Sequence, residues 1–394
     1  MKIIRFQFED KSAEWRLEEL HLNKLTLLVG ASGVGKTQIL RALMNLSQIS
    51  KGSSINGVSW KVEFQTFDKK VYLWEGEFEK KERINFFFGD MNGNINIKKE
   101  RITLNEKVIL ERDAQNIFYH NQKTPQLFQH QSAVYLLQNE ADIAPIFENL
   151  GKIRNVNYSG FSDLKMEFFF QQIMNLIPAF ITSYKKLETE LKTIADIQES
   201  ELDINIKLYF LAKKDKKVFG RVKQRFMSIF PNIEDVRVDF VEDTNEEVPE
   251  FLRKFPFLQI KEKGVNHWIG QHRISSGMYS TFMNLGELYV CAEGTVFLID
   301  EFENSLGINC INEIMNDILV STRQLQFILT SHHPYIIDAI GYQNWKLVTR
   351  NGGIIKTHNL DKFDIGKSKH SAFMQLLQLE EYQTGQEQIM SETN

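Results

Sequence analysis

Eight consecutive residues, Gly30-Ala31-Ser32-Gly33-Val34-Gly35-Lys36-Thr37, are arranged to hold a phosphate. They fit the spacing G-x-x-x-x-G-K-[ST] in full. In that spacing, glycines let backbone N–H groups converge on phosphate oxygens at the positive end of the following helix. Lys36 is the candidate to reach the β- and γ-phosphates of a nucleoside triphosphate, and the Thr37 hydroxyl is the candidate ligand for Mg²⁺. Gln38, next in the chain, is counted with the nucleotide contacts. A chance Gly-rich turn would lack the context seen here. The apolar run Leu25-Thr26-Leu27-Leu28-Val29 precedes the loop, and a helical pattern (Ile39, Leu40, Leu43, Met44, Leu46) follows it.

A second run, Val296-Phe297-Leu298-Ile299-Asp300-Glu301, places two acids at the end of four apolar residues. A buried strand ending in Asp300 can present that carboxylate to a Mg²⁺ shell, and Glu301 can take a proton from an attacking water. Without the phosphate loop, the same run reads equally well as a strand leaving the core through a solvated acidic turn. Ile274-Ser275-Ser276-Gly277-Met278 opens a helical stretch through Tyr279, Phe282, Leu285 and Leu288. The Ser275 hydroxyl and the Gly277 N–H at a helix start suit a terminal phosphate. They suit an ordinary serine N-cap as well. Phe327-Ile328-Leu329-Thr330-Ser331-His332-His333-Pro334 reads as a strand ending in histidine, and a histidine there can hydrogen-bond the γ-phosphate and sense its presence.

The elements that must position these groups are legible from hydrophobic period. Lys2–Phe8 and Trp15–Leu22 alternate as strands, and short alternating bursts fill Val58–Leu110 (Val62, Phe64; Val71, Leu73; Ile84, Phe86; Ile95, Ile97). Turn signals at Asn92-Gly93 and Asn105 mark an antiparallel sheet. From Phe161 to Phe230 the period becomes helical, with stripes Leu187, Leu191, Ile194 and Val218, Phe219, Val222, Phe226, Ile229, Phe230. Strands near Leu258–Glu262, Thr295–Ile299 and Gln326–Leu329 then alternate with helices, and a helix over Ser371–Tyr382 precedes a polar tail. The expected division is 1–160 (phosphate loop and antiparallel sheet), 161–250 (helical lobe), 251–365 (second half of the nucleotide-binding head) and 366–394 (C-terminal helix and tail). The expected class is α/β: a head with a mixed central sheet, an added antiparallel sheet and a short helical lobe.

Bulk properties agree with such a chain. It has 394 residues, 25% charged and 42% hydrophobic, with 30 Phe that suit a well-packed interior. The net charge of -4 gives no global attraction to nucleic acid. A local exception is Lys213, Lys214, Lys216, Lys217, Arg221, Lys223 and Arg225, opposed only by Asp215. This run reads as a phosphate-binding patch, a solvated helix face or a dock for an acidic partner. Cys291 and Cys310 lack ligand spacing and read as reduced, buried thiols. With no signal peptide and no apolar span of bilayer length, the expected location is cytoplasmic, with no membrane contact.

Taken in order, these motifs resemble ABC-type P-loop ATPases of the RecF, SMC and overcoming-lysogenisation-defect (OLD) group. Ser275-Ser276-Gly277-Met278 resembles a loose form of the LSGGQ signature, with Ser276 for a glycine and Met278 for glutamine. His332 matches the switch histidine better than His333, because Pro334 falls two residues later, as in T-H-S-P. Leu298–Leu306 is similar to the D-E-x-E-N-S-L-H run of bacterial anti-phage ATPases, with Gly307 in place of His, and Glu303–Gly307 occupies the D-loop position. Septu, PARIS and retron-associated ATPase subunits are similar in size and layout. The resemblance implies ATP and Mg²⁺ as ligands, and a head-to-tail dimer or higher oligomer in which each phosphate loop meets the partner's signature. It also implies a switch acting on a separate effector such as a nuclease. A RecF-like DNA-binding ATPase is the alternative it leaves. Gln131 and Gln138 are the candidates for the coupling glutamine, whereas Phe6 and Phe8 read as core and not as stacking partners for adenine.

Overall fold

The computed structural model describes residues 1–82, 95–125, 127–156, 180–240, 252–304, 306, 308–363 and 369–386. The Ile84/Phe86 burst and the Asn92-Gly93 turn expected from sequence lie outside these residues. The chain divides into two compact units, one of residues 1–156, 293–302 and 323–394 and the other of residues 157–292 and 303–322. Residues 252–292, which open the second half of the expected head, therefore group with the helical unit.

The first unit is organised on one sheet of 14 strands. In chain order these are β1 (Lys2–Asp10), β2 (Trp15–His21), β3 (Leu25–Val29), β4 (Val58–Gln65), β5 (Val71–Phe78), β6 (Ile97–Leu104), β7 (Lys107–Arg112), β8 (Ile117–Tyr119), β9 (Gln122–Lys123) and β10 (Ile153–Asn155). The unit resumes with strands at Val296–Ile299, Gln326–Thr330, Trp345–Asn351 and Ile354–Asn359, which are β14 to β17 because the second unit contributes β11 (Ile233–Asp239), β12 (Phe257–Glu262) and β13 (Ile269–Gly270). The sheet order is β10-β14-β15-β3-β16-β17-β2-β1-β4-β5-β6-β7-β8-β9.

Two chemistries share this sheet. Its β10-β14-β15-β3-β16 end is wholly parallel, and β3, β14 and β15 are buried at every residue. That is the pattern of strands covered on both faces. The other end is antiparallel and alternates, with Val58, Trp60, Val62 and Phe64 of β4 buried and Lys61 exposed. The added antiparallel sheet is not a separate layer. The β1–β2 hairpin joins it to the core, since β2 pairs with β17 and β1 with β4. Asn105 and Glu106, both at positive φ, form the two-residue turn between β6 and β7, as a tight hairpin requires.

Buried polar groups pin the two ends together. Gln326 accepts the Ile3 N–H through Oε1 at 2.8 Å and donates through Nε2 to the Ile3 and Asn23 carbonyls. This ties the start of β15 to β1. Glu100 accepts Trp74 Nε1–H at 2.9 Å and the Ala133 N–H at 2.8 Å beside the Arg112 guanidinium, which itself donates to the carbonyls of Phe128, Gln129 and Gln131. A buried ion pair is tolerable only when so fully hydrogen-bonded. Helix α1 (Lys36–Ser50) packs on the parallel end, with α2 (Ala133–Leu136) and α3 (Ala144–Leu150) against it. Phe6 and Phe8 are buried, as expected of core residues.

On the open face of the antiparallel strands, charges alternate across the ladder, as in Lys61–Glu75 and Arg101–Glu111. They line a hollow of about 1050 Å³.

The second unit has helices at residues 180–190 (α4), α5 (Ile194–Glu199), α6 (Ile204–Lys214), α7 (Lys216–Ile229), α8 (Ser276–Val290) and α9 (Ile308–Val320), with the small sheet β11-β12-β13. The expected stripe on α7 is its buried face: Phe219, Val222, Phe226 and Ile229. Phe226 meets Phe282 of α8 edge-on at 5.2 Å, a favoured aromatic geometry. The C-terminal part of the first unit adds α10 (Pro334–Ile340), α11 (Lys369–Gln378) and α12 (Glu380–Thr384). The single helix expected over Ser371–Tyr382 is therefore two, parted at Leu379. Among the described residues no helix is long and apolar enough to cross a membrane.

Candidate nucleotide site

Parallel strands end at the same edge, and three of the sequence motifs end there. β15 lies between β14 and β3, with Ile299 level with Leu329 and Leu329 level with Leu27. Asp300-Glu301 after β14, Ser331-His332 after β15 and Gly30 after β3 thus leave the carboxyl edge side by side. This is the edge at which open α/β sheets bind ligands.

The loop from Gly30 to Gly35 takes a path that side chains would obstruct. Gly30, Gly33 and Gly35 have φ of 144°, 85° and 103°, and a Cβ on Gly30 would lie 2.5 Å from the Val348 carbonyl oxygen. α1 begins with Gly35 as its N-cap, without a side-chain cap and without an acid in its first turn. A helix start carries partial positive charge, and one with no acid beside it is a setting in which anions bind. The buried Lys36 folds back over the loop, its ammonium donating to the Gly30 and Ala31 carbonyls at 2.8 Å each. Ser32 and Gly33 are exposed, while Thr37 and Gln38 are half-buried. Gln38 Oε1 accepts a hydrogen bond from Arg350 Nη1 at 2.9 Å.

The acidic pair is held by a residue that sequence reading passed over. Thr330, the last residue of β15 and 1% exposed, donates from Oγ1 to Asp300 Oδ1 at 2.6 Å. The same oxygen accepts the Glu301 N–H at 2.7 Å, and the Thr330 carbonyl accepts the Phe302 N–H at 3.0 Å. Glu301 sits at φ 48°, a left-handed conformation costing a non-glycine residue about 1–3 kcal/mol. These bonds keep it there. The available signal was a lone threonine closing the otherwise apolar Phe327–Leu329 run beside a strand that ends in acid. The Glu301 side chain is exposed at the edge.

The two histidines differ in surroundings. His333 caps α10, its Nδ1 accepting the Tyr335 N–H at 3.3 Å while its own N–H donates to Ser331 Oγ at 3.0 Å. His332 is exposed. Gln131 and Gln138 flank α2, where Ser132 Oγ donates to the Ile49 carbonyl in the last turn of α1 at 2.7 Å; the strand that flanks β14 at the carboxyl edge is β10, ending in Asn155.

Ser275 and Gly277 belong to the second unit. Ser275 is exposed and caps α8, its Oγ accepting the Met278 N–H at 3.3 Å. The helix-cap reading of this serine is therefore realised, and its hydroxyl and the adjoining turn remain at the surface.

The basic run of the same unit is largely engaged. Lys213 Nζ lies 4.4 Å from the Tyr209 ring centre, and Lys214 donates to the Glu188 carbonyl. Lys223 pairs with Asp235, and Arg225 pairs with Asp317 at 2.8 Å and Glu313 at 2.7 Å.

This fold and this edge define a P-loop nucleotide-binding protein of mixed α/β class. The chain belongs to the family described as "AAA domain, putative AbiEii toxin, Type IV TA system", which matches residues 25–338. It is thus a P-loop ATPase of the AAA group.

No curated protein matches it. Among solved structures it is similar to an SMC head bound to the C-terminal winged-helix domain of ScpA, at 15% identity over 92% of this chain and 100% of that one, with a TM-score of 0.47. It is also similar to an Smc head with an extended coiled coil bound to the C-terminal domain of ScpA, from Pyrococcus furiosus, at 14% over 92% and 97%, with a TM-score of 0.48. An SMC head from Thermotoga maritima gives 10% over 91% and 99%, with a TM-score of 0.42. No activity follows from likeness at this level.

Proposed function

We propose that the chain binds and hydrolyses ATP with Mg²⁺ and works as a dimerising switch, the sensor or regulator subunit of a bacterial anti-phage complex that controls a separate effector. The observation that carries the ATPase part is the convergence of the Gly30–Thr37 loop, Asp300-Glu301 and His332 on one carboxyl edge. The residues present fit a magnesium nucleotide. An uncapped helix start faces the loop, three glycines clear the backbone, and Asp300 is fixed nearby by Thr330.

Thr37 and Asp300 would hold Mg²⁺, which when bound neutralises phosphate charge. The loop N–H groups and Lys36 bind the phosphates and hold the γ-phosphoryl in line. Glu301 accepts the proton of the attacking water as its oxygen bonds to the γ-phosphorus and the bond to the β–γ bridging oxygen breaks. His332 hydrogen-bonds the γ-phosphate, so its contact is lost with hydrolysis. Ser275 and Gly277 of a second copy complete the site from outside.

The defence role draws support from the family's description, which names a toxin of a type IV toxin–antitoxin system. The RecF-like alternative draws less support, because Lys213, Lys214, Lys223 and Arg225 already have partners within the chain. The decisive test is native mass measurement with and without a non-hydrolysable ATP analogue. Doubling of the mass on the analogue, abolished by Ser275→Arg, is expected. An unchanged monomer at saturating analogue rules the dimer switch out.

A further inference from the structure

One flank of the phosphate loop is covered by the far end of the chain. Val34, within the loop, is 5% exposed. Gly385, which ends α12, lies against it: a Cβ there would sit 2.4 Å from Val34 Cγ1 and 3.3 Å from Ala31 Cβ. Gly385 is also left-handed, at φ 75°. Backbone conformation and close approach thus both demand glycine at this position.

Arg350, near the end of β16, links this segment to the phosphate helix. Its N–H donates to the Gly385 carbonyl at 2.7 Å. Its side chain donates from Nη1 to Gln38 in the first turn of α1, and from Nε to the Gly352 carbonyl at 2.8 Å. One residue therefore holds the C-terminal segment by its backbone and the start of the phosphate helix by its guanidinium.

We propose that residues 380–386 form a wall of the nucleotide site, positioning the Ala31–Val34 turn, and that their docking is energetically linked to nucleotide binding. The inference rests on the nucleotide-binding part of the function above and is independent of dimerisation. A loop with three glycines at positive φ has much freedom to lose, and its N–H groups bind phosphate best when the turn is held beforehand. With the wall displaced, that ordering cost falls on the nucleotide, and its affinity drops. By reciprocity, bound nucleotide tightens the docked segment. A partner that drew the segment away would weaken nucleotide binding without touching the phosphates.

The test uses the full chain, Mg²⁺ and a fluorescent ATP analogue, with hydrogen exchange followed by mass spectrometry. Saturating analogue should slow exchange in residues 380–386 by about tenfold, a typical size for such coupling. Gly385→Val should weaken analogue binding by about tenfold or more, and the exchange measurement on the unaltered chain stands even if that variant folds poorly. Unchanged exchange in 380–386, or a folded Gly385→Val chain that binds within about twofold of the original, overturns the inference. If the original chain binds analogue no better than Lys36→Ala, the ATPase reading falls together with this inference. If it binds but neither response appears, only this inference falls.

Discussion

Thr330 shows how much of a site can rest on a residue without a catalytic role. Its hydroxyl bridges the Asp300 carboxylate and the Glu301 backbone, so Thr330→Val should release both. We expect kcat to fall by about tenfold, KM to change little, and stability to drop by about 1–2 kcal/mol for a buried group left unpaired. Thr330→Ser, which keeps the oxygen, should restore most of the rate; steady-state kinetics and urea unfolding check this. If the valine variant loses stability but keeps its kcat, the positioning role is wrong. Glu301→Gln removes the proposed base and should lower turnover by about a hundredfold or more while nucleotide still binds. Full turnover in a phosphate-release assay would remove Glu301 from the mechanism.

Among the elements, the antiparallel strands carry a pH-dependent brace. Burial pushes the Glu77 carboxyl up, but hydrogen bonds from Lys11 and Lys99, with Lys98 alongside, outweigh it and hold the group at about 2. An acid whose pKa is lowered on folding adds stability that is complete above its ordinary value near 4.5 and is lost as pH falls toward 2. The original chain should therefore be more stable than Glu77→Gln at pH 7, with the gap narrowing below about pH 4.5. Urea unfolding at pH 7, 4 and 3 reads it; a gap that widens toward acid refutes the assignment. In the parallel strands the vulnerable point is Gly30, where a Cβ would meet the Val348 carbonyl. Gly30→Ala should abolish analogue binding even if the chain still folds.

For the molecule as a whole, the proposed dimer ties activity to concentration. A site completed by Ser275 of a second copy makes the specific ATPase rate rise with chain concentration until the dimer is saturated. A specific rate that stays flat down to the monomeric range argues for a self-sufficient site. The charge on the helical unit sets a further limit. Of the basic run, Lys216, Lys217 and Arg221 are exposed on α7, whereas ion pairs hold Lys223 and Arg225. If nucleic acid docks there, charge reversal of these three should weaken binding and reduce its salt dependence, by roughly one unit of slope per lost phosphate contact.

The local elements were readable in order along the chain, because each motif couples a strand's apolar run to a polar turn, and both signals are short-range. The phosphate loop, the strand before it, the acidic pair and the stripes of α7 were all legible in this way. The tight turn at Asn105 was legible from the backbone freedom of its residue type. What the alternation could not tell was that the β1–β2 hairpin would merge two sheets into one, since hydrogen-bonded edges leave no mark on side-chain period. Nor could it pair Thr330 with Asp300, Gln326 with Ile3 or Gly385 with Val34. Those contacts join positions far apart in sequence, and only packing of the parallel strands and the returning C-terminal segment brings them within reach.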